Sequence, residues 1–142
     1  MTALAYKTKQ QAVRGASVRL NTVTRSFGAL SVLDGIDLDI EPGSFVAIVG
    51  QSGSGKSTLL NLIGLLEKPS GGSYLLNGTA IQEADDDTRT RARLETLGFV
   101  FQFHHLLPEL TAFENVLMPA LIARAPLAEA QAKVAAQGKS KR

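Results

Sequence analysis

The stretch GQSGSGKSTLLNLIG, which begins at Gly50, places glycines, a lysine and hydroxyl residues directly before an apolar run. Residues 50–57 fit the pattern G-x-x-x-x-G-K-[ST]. Glycines let the backbone wrap tightly enough for several N–H groups to converge on one anion. A helix that starts directly after them adds unpaired N–H groups and the positive end of its dipole. The combination is typical of a loop that binds the phosphates of a nucleotide.

Each side chain of this loop has an expected role. Lys56 reaches the β- and γ-phosphates as a point charge, and Ser57 offers its hydroxyl to Mg²⁺. Thr58 adds a phosphate contact. The other expected nucleotide-binding residues are Gly50, Gln51, Ser52, Gly53, Ser54 and Gly55. The alternative is a flexible Gly/Ser linker that contains a lysine by chance; a buried strand before the loop and an apolar helix after it argue against that alternative.

The elements that position the loop are predicted from hydrophobic periodicity. Strands are expected near Val18–Val23 and Leu33–Ile40, since apolar residues in the second alternate with aspartates. Phe45–Val49 is continuously apolar, which predicts a strand buried on both faces. After the loop, leucines and isoleucines recur at helical spacing through Leu66, and Pro69 follows as a stop signal. The loop is therefore expected between a strand and a helix.

Further signals predict the remaining elements. Asn77-Gly78 favours a type I′ hairpin turn between two short strands. The acidic run Asp85-Asp86-Asp87 places negative charge where a helix would begin, and Thr111 with Glu114 fits a capping box at the start of another helix. The other expected elements are a short strand at Leu97–Phe101 and a last helix that starts at Pro126. Together these elements predict an α/β fold, with residues 1–16 as a flexible leader, residues 17–137 as one domain and residues 138–142 as a basic tail.

Composition excludes several classes of protein. The formal net charge is only +2, so no global field favours nucleic acid as a partner. The chain has no cysteine, which excludes disulfides and thiolate metal sites. No apolar run reaches the ~18 residues that span a bilayer, and the N-terminus lacks the apolar segment of a signal peptide. We therefore expect a cytoplasmic protein that meets a membrane only through a partner.

The stretch from about Val18 to about Lys133 resembles the nucleotide-binding subunit of ATP-binding cassette (ABC) transporters. Phe27 lies where that family has an aromatic side chain that stacks on adenine; the alternative is an aromatic of the strand core. The Asn77-Gly78 hairpin lies where the family's antiparallel sheet returns. The stretch Phe99-Val100-Phe101-Gln102 matches the family's Q-loop. In that role, Gln102 would sense Mg²⁺ and the attacking water and link the site to the membrane subunit.

Different segments resemble different branches of the family. The segment Gln102–Val116 is similar to the corresponding segment of the ATPases of lipoprotein-releasing (Lol) systems of Gram-negative bacteria. Leu59–Pro69 agrees with that branch or with its macrolide-exporter relatives. Phe27–Pro42 and Asp85–Arg89 are more similar to importers of nitrate, taurine or sulfonates. The Q-loop region carries more weight because in this family it faces the transport partner.

The resemblance implies a fold, a function and partners. The fold would be an ABC-type P-loop NTPase domain, truncated, with an N-terminal antiparallel β subdomain and the start of the helical subdomain. The cofactors would be ATP and Mg²⁺, with Ser57 and Gln102 as metal-binding residues and Gln102 as the catalytic residue. The partners would be integral membrane transporter subunits and a second ATP-binding subunit in a homodimer, at the cytoplasmic face of the bacterial inner membrane.

Several family elements do not follow Gln102 in these 142 residues. There is no L-S-G-G-Q-type signature, no apolar strand that ends in Asp-Glu (Walker B), and no switch histidine. We therefore expect this chain alone to bind nucleotide without hydrolysing it. The alternative to a truncated transport ATPase is a stand-alone nucleotide-binding remnant. His104 and His105 are expected to shape the surface that meets the membrane subunit rather than to bind metal, since adjacent strand residues face opposite sides.

Overall fold

The computed structural model describes residues 2–6, 15–103 and 105–139. The chain divides into two compact units, Met1–Leu97 and Gly98–Arg142. The single domain expected over residues 17–137 therefore covers most of the first unit and most of the second. No helix among the described residues is long and apolar enough to cross a membrane.

The first unit contains six strands and two helices within its described residues. The strands β1 to β4 and the helix α1 come first in the chain, followed by β5, β6 and the helix α2. Their bounds are β1 Thr2–Tyr6, β2 Val18–Phe27, β3 Leu30–Ile40, β4 Phe45–Val49, α1 Lys56–Ile63, β5 Gly71–Leu76, β6 Thr79–Ala80 and α2 Asp86–Thr96.

These strands form two antiparallel sheets. One sheet pairs β1 with β4, and the other has the order β3-β2-β5-β6. The predicted turn joins β5 to β6, and both Asn77 (φ 52°) and Gly78 (φ 78°) have the positive φ that a type I′ turn requires. The strands expected around residues 18–23 and 33–40 are confirmed, and both are longer than the apolar pattern indicates.

The core of the first unit lies between the four-stranded sheet and α1. Leu59 and Leu62 of the helix are almost fully buried against strand residues, among them Leu33 and Tyr74. Tyr74 donates its hydroxyl hydrogen to the carbonyl of Ile63 at 2.7 Å, and burial raises the pKa of Tyr74 to about 12. Leu59, Leu62 and the partly buried Ile63 thus form the face that fixes α1 on the sheet, whereas Leu60 of the same apolar pattern is 55% exposed.

Helix α1 ends earlier than the sequence pattern suggests. The pattern runs through Leu66, but the last helical residue is Ile63 and Gly64 is its C-cap. Leu65 then has a positive φ of 59°, which a helix does not accept. Its side chain is still buried in the core, whereas Leu66 is exposed. The apolar pattern therefore overestimates the length of the helix: the chain turns after Ile63, and Leu65 packs into the core from the turn while Leu66 does not.

The flexible leader predicted for residues 1–16 is wrong for Thr2–Tyr6. These residues form β1, whose backbone pairs with β4 from Thr2 opposite Val49 to Tyr6 opposite Phe45. The partner lies some forty positions away in the chain, so local composition carries no signal for this strand. Residues 7–14 of the predicted leader lie outside the described residues.

Strand β4 forms as predicted, but it is not buried on both faces. Phe45 is 67% exposed and Val49 is 44% exposed, and the three residues between them are half-buried. Among the described residues, β4 pairs with β1 alone. A continuous apolar run shows that a strand can be buried on both faces, and whether it is buried depends on which other elements pack on it.

The second unit contains two helices within its described residues, α3 (Ala112–Ile122) and α4 (Leu127–Lys139). The capping box at the start of α3 is confirmed: Thr111 Oγ1 accepts from the Glu114 backbone N–H, and the Glu114 carboxylate accepts from the Thr111 N–H. Pro119 lies inside this helix. Helix α4 extends through Gly138 and Lys139, the first residues of the predicted basic tail.

The strand predicted at Leu97–Phe101 does not form. These residues have no regular structure after the end of α2, and no strand pairs with them among the described residues. Instead, the rings of Phe99 and Phe101 stack on each other with centroids 5.5 Å apart. The side-chain pattern of a strand is therefore present, but the backbone partner that would satisfy its N–H and C=O groups is not.

Candidate nucleotide-binding site

The loop predicted to bind phosphate joins β4 to α1 in the first unit. Two of its glycines have left-handed backbone, Gly53 with φ 77° and Gly55 with φ 83°. Residues with a Cβ adopt this conformation at a cost of roughly 1–2 kcal/mol each. The loop therefore has the tight curvature that the glycine spacing predicts.

Gly55 is held close to a neighbouring strand. A Cβ added at Gly55 would lie 2.9 Å from the carbonyl oxygen of Val32 and 2.9 Å from Cδ2 of Leu33, both on β3. The same addition at Gly53 would meet nothing within 4 Å. Gly55 is thus required both for its backbone angle and for its close approach to the sheet.

Helix α1 begins at Lys56 with Gly55 as its N-cap, and no side chain caps it. The first turn of any helix has backbone N–H groups without partners inside the helix. Here no side-chain hydrogen bond occupies the cap position. The start of α1 therefore offers N–H donors and the positive end of the dipole to an anion.

The ammonium group of Lys56 folds back over the loop. Nζ donates to the carbonyl oxygens of Gly50 at 2.9 Å and Gln51 at 2.6 Å, and it lies 3.5 Å from Ser54 Oγ. These contacts hold the positive charge inside the curve of the loop. Phosphate oxygens that enter the same curve would replace the carbonyls as acceptors and make stronger, charge-assisted hydrogen bonds.

The hydroxyl residues at the start of α1 differ in exposure. Ser57 is exposed and Thr58 is half-buried. An exposed serine hydroxyl is an oxygen donor of the kind Mg²⁺ prefers. No group of three or more His, Asp or Glu side chains that could hold a metal exists among the described residues. The donor set of the loop thus fits a metal ion carried by phosphate oxygens rather than a metal site made of protein alone.

Phe27 lies at the end of β2, outside the hydrophobic core, and is 47% exposed. The alternative of a core aromatic is therefore wrong. The guanidinium of Arg25 lies 4.3 Å from the centroid of the Phe27 ring, a cation–π contact. Arg25 Nε in turn donates to Glu67 Oε2 at 3.0 Å. The ring is exposed and held by neighbours, as an aromatic platform needs to be.

Gln102 lies in the second unit, whereas the loop and Phe27 lie in the first. It is exposed and stands in a bend after the stacked Phe99 and Phe101. His105 packs edge-on against Phe101, with ring centroids 4.9 Å apart, and has a positive φ of 49°. His104 lies outside the described residues. The structure thus brings the phosphate loop residues together, and Gln102 belongs to a separate unit.

The acidic run Asp85–Asp87 has a structural role in α2. Asp85 is the N-cap, and its carboxylate accepts from the Thr88 N–H at 2.8 Å, so hydrogen bonds with Thr88 lower the pKa of Asp85. Lys68 forms an ion pair with Asp86 at 2.9 Å and lowers the pKa of that carboxyl. All three aspartates are exposed at the helix start, where negative charge favours the dipole.

Comparison with known proteins identifies the family. The family model described as "ABC transporter" matches residues 33–142, which is more than half of the chain. The chain belongs to the ABC transporter family. Its α/β fold class is confirmed by a solved structure, the dimeric post-hydrolysis state of the ATP-binding cassette MJ0796 bound to ADP and Pi. That structure is 40% identical to this chain with a TM-score of 0.73, over 82% of this chain and 53% of the cassette.

Two curated relatives indicate which branches of the ABC family this chain is similar to. The lipoprotein-releasing system ATP-binding protein LolD 1 of Rhodospirillum rubrum is 49% identical over 135 residues, which is 89% of this chain and 60% of that protein. The macrolide export ATP-binding/permease protein MacB of Marinobacter nauticus is 51% identical over 120 residues, 82% of this chain and 19% of that protein. The chain is thus similar to ABC ATP-binding subunits and spans only part of their length.

Several residues that shape the cassette were missed by sequence reasoning. Arg25 precedes Phe27 by two positions, and the alternation of a regular strand would place both on one face, although the pairing of β2 with β3 is irregular between Arg25 and Ser26. Glu67 has no such signal, because it meets Arg25 only through the fold. Buried Arg89, 4% exposed, donates to the backbone carbonyls of Leu65 at 3.0 Å and Glu67 at 2.8 Å. These contacts fix the turn after α1.

Proposed function

We propose that this chain is part of the ATP-binding subunit of an ABC transporter that releases lipoproteins from the bacterial inner membrane. In this proposal the whole subunit couples ATP binding and hydrolysis to a membrane partner. The observation that carries the proposal is the loop at residues 50–57, with its left-handed glycines, its enclosed lysine and an uncapped helix after it. The similarity to LolD 1 supports the choice of transport system.

The proposed binding mode uses residues Gly50–Thr58 and Phe27. Phosphate oxygens accept from the N–H groups at the start of α1 and from Lys56 Nζ, which exchanges its two carbonyl partners for them. The adenine ring stacks on Phe27. Because every base has a π-face, such stacking gives affinity and little discrimination between bases.

The proposed metal is the Mg²⁺ that accompanies ATP. When bound, it neutralises charge that develops on the phosphate oxygens during phosphoryl transfer. Ser57 is the proposed ligand from the loop, and its hydroxyl is exposed for that purpose. Gln102 is proposed as the second protein ligand and as the residue that orients the attacking water. Its amide oxygen is also a hard oxygen donor.

The proposed partners are integral membrane transporter subunits and a second copy of the ATP-binding subunit. In this arrangement the subunit is peripheral, at the cytoplasmic face of the inner membrane. The relative MJ0796 is a dimer in the solved structure that this chain resembles. Phe103, Leu106 and Leu107 follow Gln102 and are exposed, and they offer an apolar surface to a partner.

Two other functions remain as alternatives. One is a nucleotide-binding remnant without turnover, which would bind ATP at the same loop and release no phosphate. The other is the ATPase of a nitrate or sulfonate importer, since the segment Phe27–Pro42 resembles that branch of the family. We rank both below lipoprotein release, because the segment from Gln102 to Val116 is the part expected to face the transport partner.

A binding experiment with membrane subunits tests the choice of partner. The tagged chain is mixed with detergent-solubilised membrane subunits of a lipoprotein-releasing system, of a macrolide exporter and of a nitrate importer. We expect retention by the lipoprotein-releasing subunits, and we expect substitution of Phe103 and Leu106 by serine to reduce it. Retention by the importer subunits alone would replace the proposed transport system with the importer alternative.

A further inference from the structure

A chain of contacts connects Phe27 to the helix that begins at the phosphate loop. Arg25 lies over one face of the Phe27 ring, with its guanidinium carbon 4.3 Å from the centroid. Its Nε donates to Glu67 Oε2 at 3.0 Å, in an ion pair whose two side chains are only 23% and 24% exposed. Glu67 Oε1 accepts from Asn61 Nδ2 of α1 at 3.3 Å. The order is therefore Phe27, Arg25, Glu67 and Asn61.

Both backbone polar groups of Glu67 are held by hydrogen bonds, in addition to its ion pair with Arg25. Its backbone carbonyl accepts from Arg89 Nη2 at 2.8 Å, and its backbone N–H donates to the Asn61 carbonyl at 3.3 Å. A counterion held in this way determines where the guanidinium lies. This ion pair is shielded from solvent, unlike the pair between Arg19 and Asp39, whose side chains are 61% and 55% exposed.

The guanidinium in turn determines which face of Phe27 is open. It covers one side of the ring, so a base can stack only on the other. An exposed aromatic side chain without such a neighbour would sample several rotamers and lose that freedom when a base binds. With Arg25 in place, the ring has already lost part of this rotamer freedom in the free protein, so less entropy is lost when a base binds.

We propose that Arg25 is a positioning residue for nucleotide binding, which orients the Phe27 ring for a purine base and is itself held by Glu67. The proposal rests on the proposed role of Phe27 as the stacking platform. It assigns to the Arg25–Glu67 pair a part in affinity for the base and none in affinity for the phosphates.

Titration calorimetry with two ligands separates these contributions. Magnesium ATP carries a base, and magnesium tripolyphosphate carries only the phosphate chain. Phe27→Ala is expected to weaken ATP and GTP alike, by about 5- to 150-fold, and to leave tripolyphosphate unchanged. Arg25→Met is expected to weaken ATP by about 2- to 10-fold, again without effect on tripolyphosphate. Arg19→Met, on the same strand, is the matched control and should change neither.

Two further variants test how Arg25 acts. In the Phe27→Ala background, Arg25→Met should cause no additional loss, because the ring that it orients is absent. Glu67→Gln keeps the shape of the side chain and removes its charge, and it should weaken ATP binding less than Arg25→Met does. If the circular dichroism spectrum shows that Arg25→Met is not folded like the wild type, the ATP affinity of Glu67→Gln is used instead to decide whether the ion pair contributes to base binding.

The outcomes distinguish this inference from the function on which it rests. Wild-type protein that does not bind ATP would overturn both. A Phe27→Ala variant with unchanged ATP affinity would overturn the stacking role and the inference with it, while the loop retains its own role. ATP affinity that falls for Phe27→Ala but not for Arg25→Met or Glu67→Gln would overturn the inference alone. An equal loss of ATP and tripolyphosphate binding in Arg25→Met would do the same, since it indicates a general disturbance of the fold.

Discussion

At the residue scale, Lys56 is the side chain on which phosphate binding is expected to depend most. Its ammonium is enclosed by the loop, between the carbonyls of Gly50 and Gln51. A positive charge in such a place makes charge-assisted hydrogen bonds with phosphate oxygens. Backbone N–H groups contribute to the same site, but none of them carries a full charge.

We expect Lys56→Ala to remove most of the affinity for magnesium ATP, a loss of roughly 1.5–3 kcal/mol for one charged hydrogen-bond donor. Titration calorimetry measures it. Lys68→Ala is the matched control: this lysine belongs to the same unit but is exposed and paired with Asp86, and its loss should leave ATP affinity unchanged. Equal affinities for the wild type and Lys56→Ala would contradict the role of the loop.

At the element scale, the junction between β4 and α1 depends on two glycines with nearly the same backbone angle. Gly53 has a φ of 77° and Gly55 a φ of 83°. Only Gly55 lies against another element, since its Cβ would fall 2.9 Å from Val32 of β3. Substituting each of these two glycines by alanine therefore separates two effects on the free energy of unfolding: that of the unusual backbone angle, which both share, and that of the close approach to β3, which only Gly55 has.

We expect Gly53→Ala to reduce the free energy of unfolding by about 1–2 kcal/mol, the cost of a left-handed residue with a Cβ. Gly55→Ala adds a contact with the Val32 carbonyl oxygen that is shorter than real Cβ atoms make, so the backbone on one side of this contact must shift. Its loss should exceed that of Gly53→Ala by on the order of 1 kcal/mol or more. Urea unfolding followed by circular dichroism compares them, and equal losses would mean that the approach to β3 is relaxed without cost.

At the scale of the whole molecule, the chain supplies one part of an ABC cassette. It spans 60% of LolD 1 and 53% of the solved cassette that it resembles. Its described residues include the strand, loop and helix that are proposed to hold the phosphates. The only run of three carboxylates, Asp85–Asp87, caps α2 and is exposed. Catalysis of phosphoryl transfer depends on positioned charge around metal and water.

We therefore expect these 142 residues to release no phosphate from magnesium ATP above background, with or without the membrane subunits. The loop is proposed to hold the nucleotide, but within these residues the sequence after Gln102 offers no Walker B carboxylate to hold the metal from the far side. A phosphate-release assay decides between this expectation and a complete site. Hydrolysis that Lys56→Ala abolishes would show that another carboxylate completes the site.

The local features of the fold were predictable because each depends on residues close together in the chain. The left-handed glycines of the loop, the Asn77-Gly78 turn and the capping box at Thr111 all follow from side chains within a few positions of one another. The same holds for the apolar face of α1. In each case the residues that set the backbone conformation, or the apolar face of the helix, lie within about two turns of one another in the chain.

Other features depended on partners that are distant in the sequence. Composition alone favoured a flexible start at Thr2–Tyr6 and a strand at Leu97–Phe101, yet the first pairs with β4 and the second pairs with no described strand. A strand is stable only when its backbone groups find a neighbour, and side-chain periodicity does not say where that neighbour is. The same reason explains why β4 is half-exposed rather than buried.

For the candidate site, the sequence by itself determined the loop at residues 50–57, its lysine and the helix after it, since these are one continuous stretch. Only the tertiary structure decided that Phe27 lies outside the core and that Arg25 covers one face of its ring. The reason is that Glu67, which holds Arg25, follows α1 and comes near β2 only when the helix packs on the sheet. The orientation of an exposed side chain is set by what packs beside it, and in this protein that neighbour comes from another element.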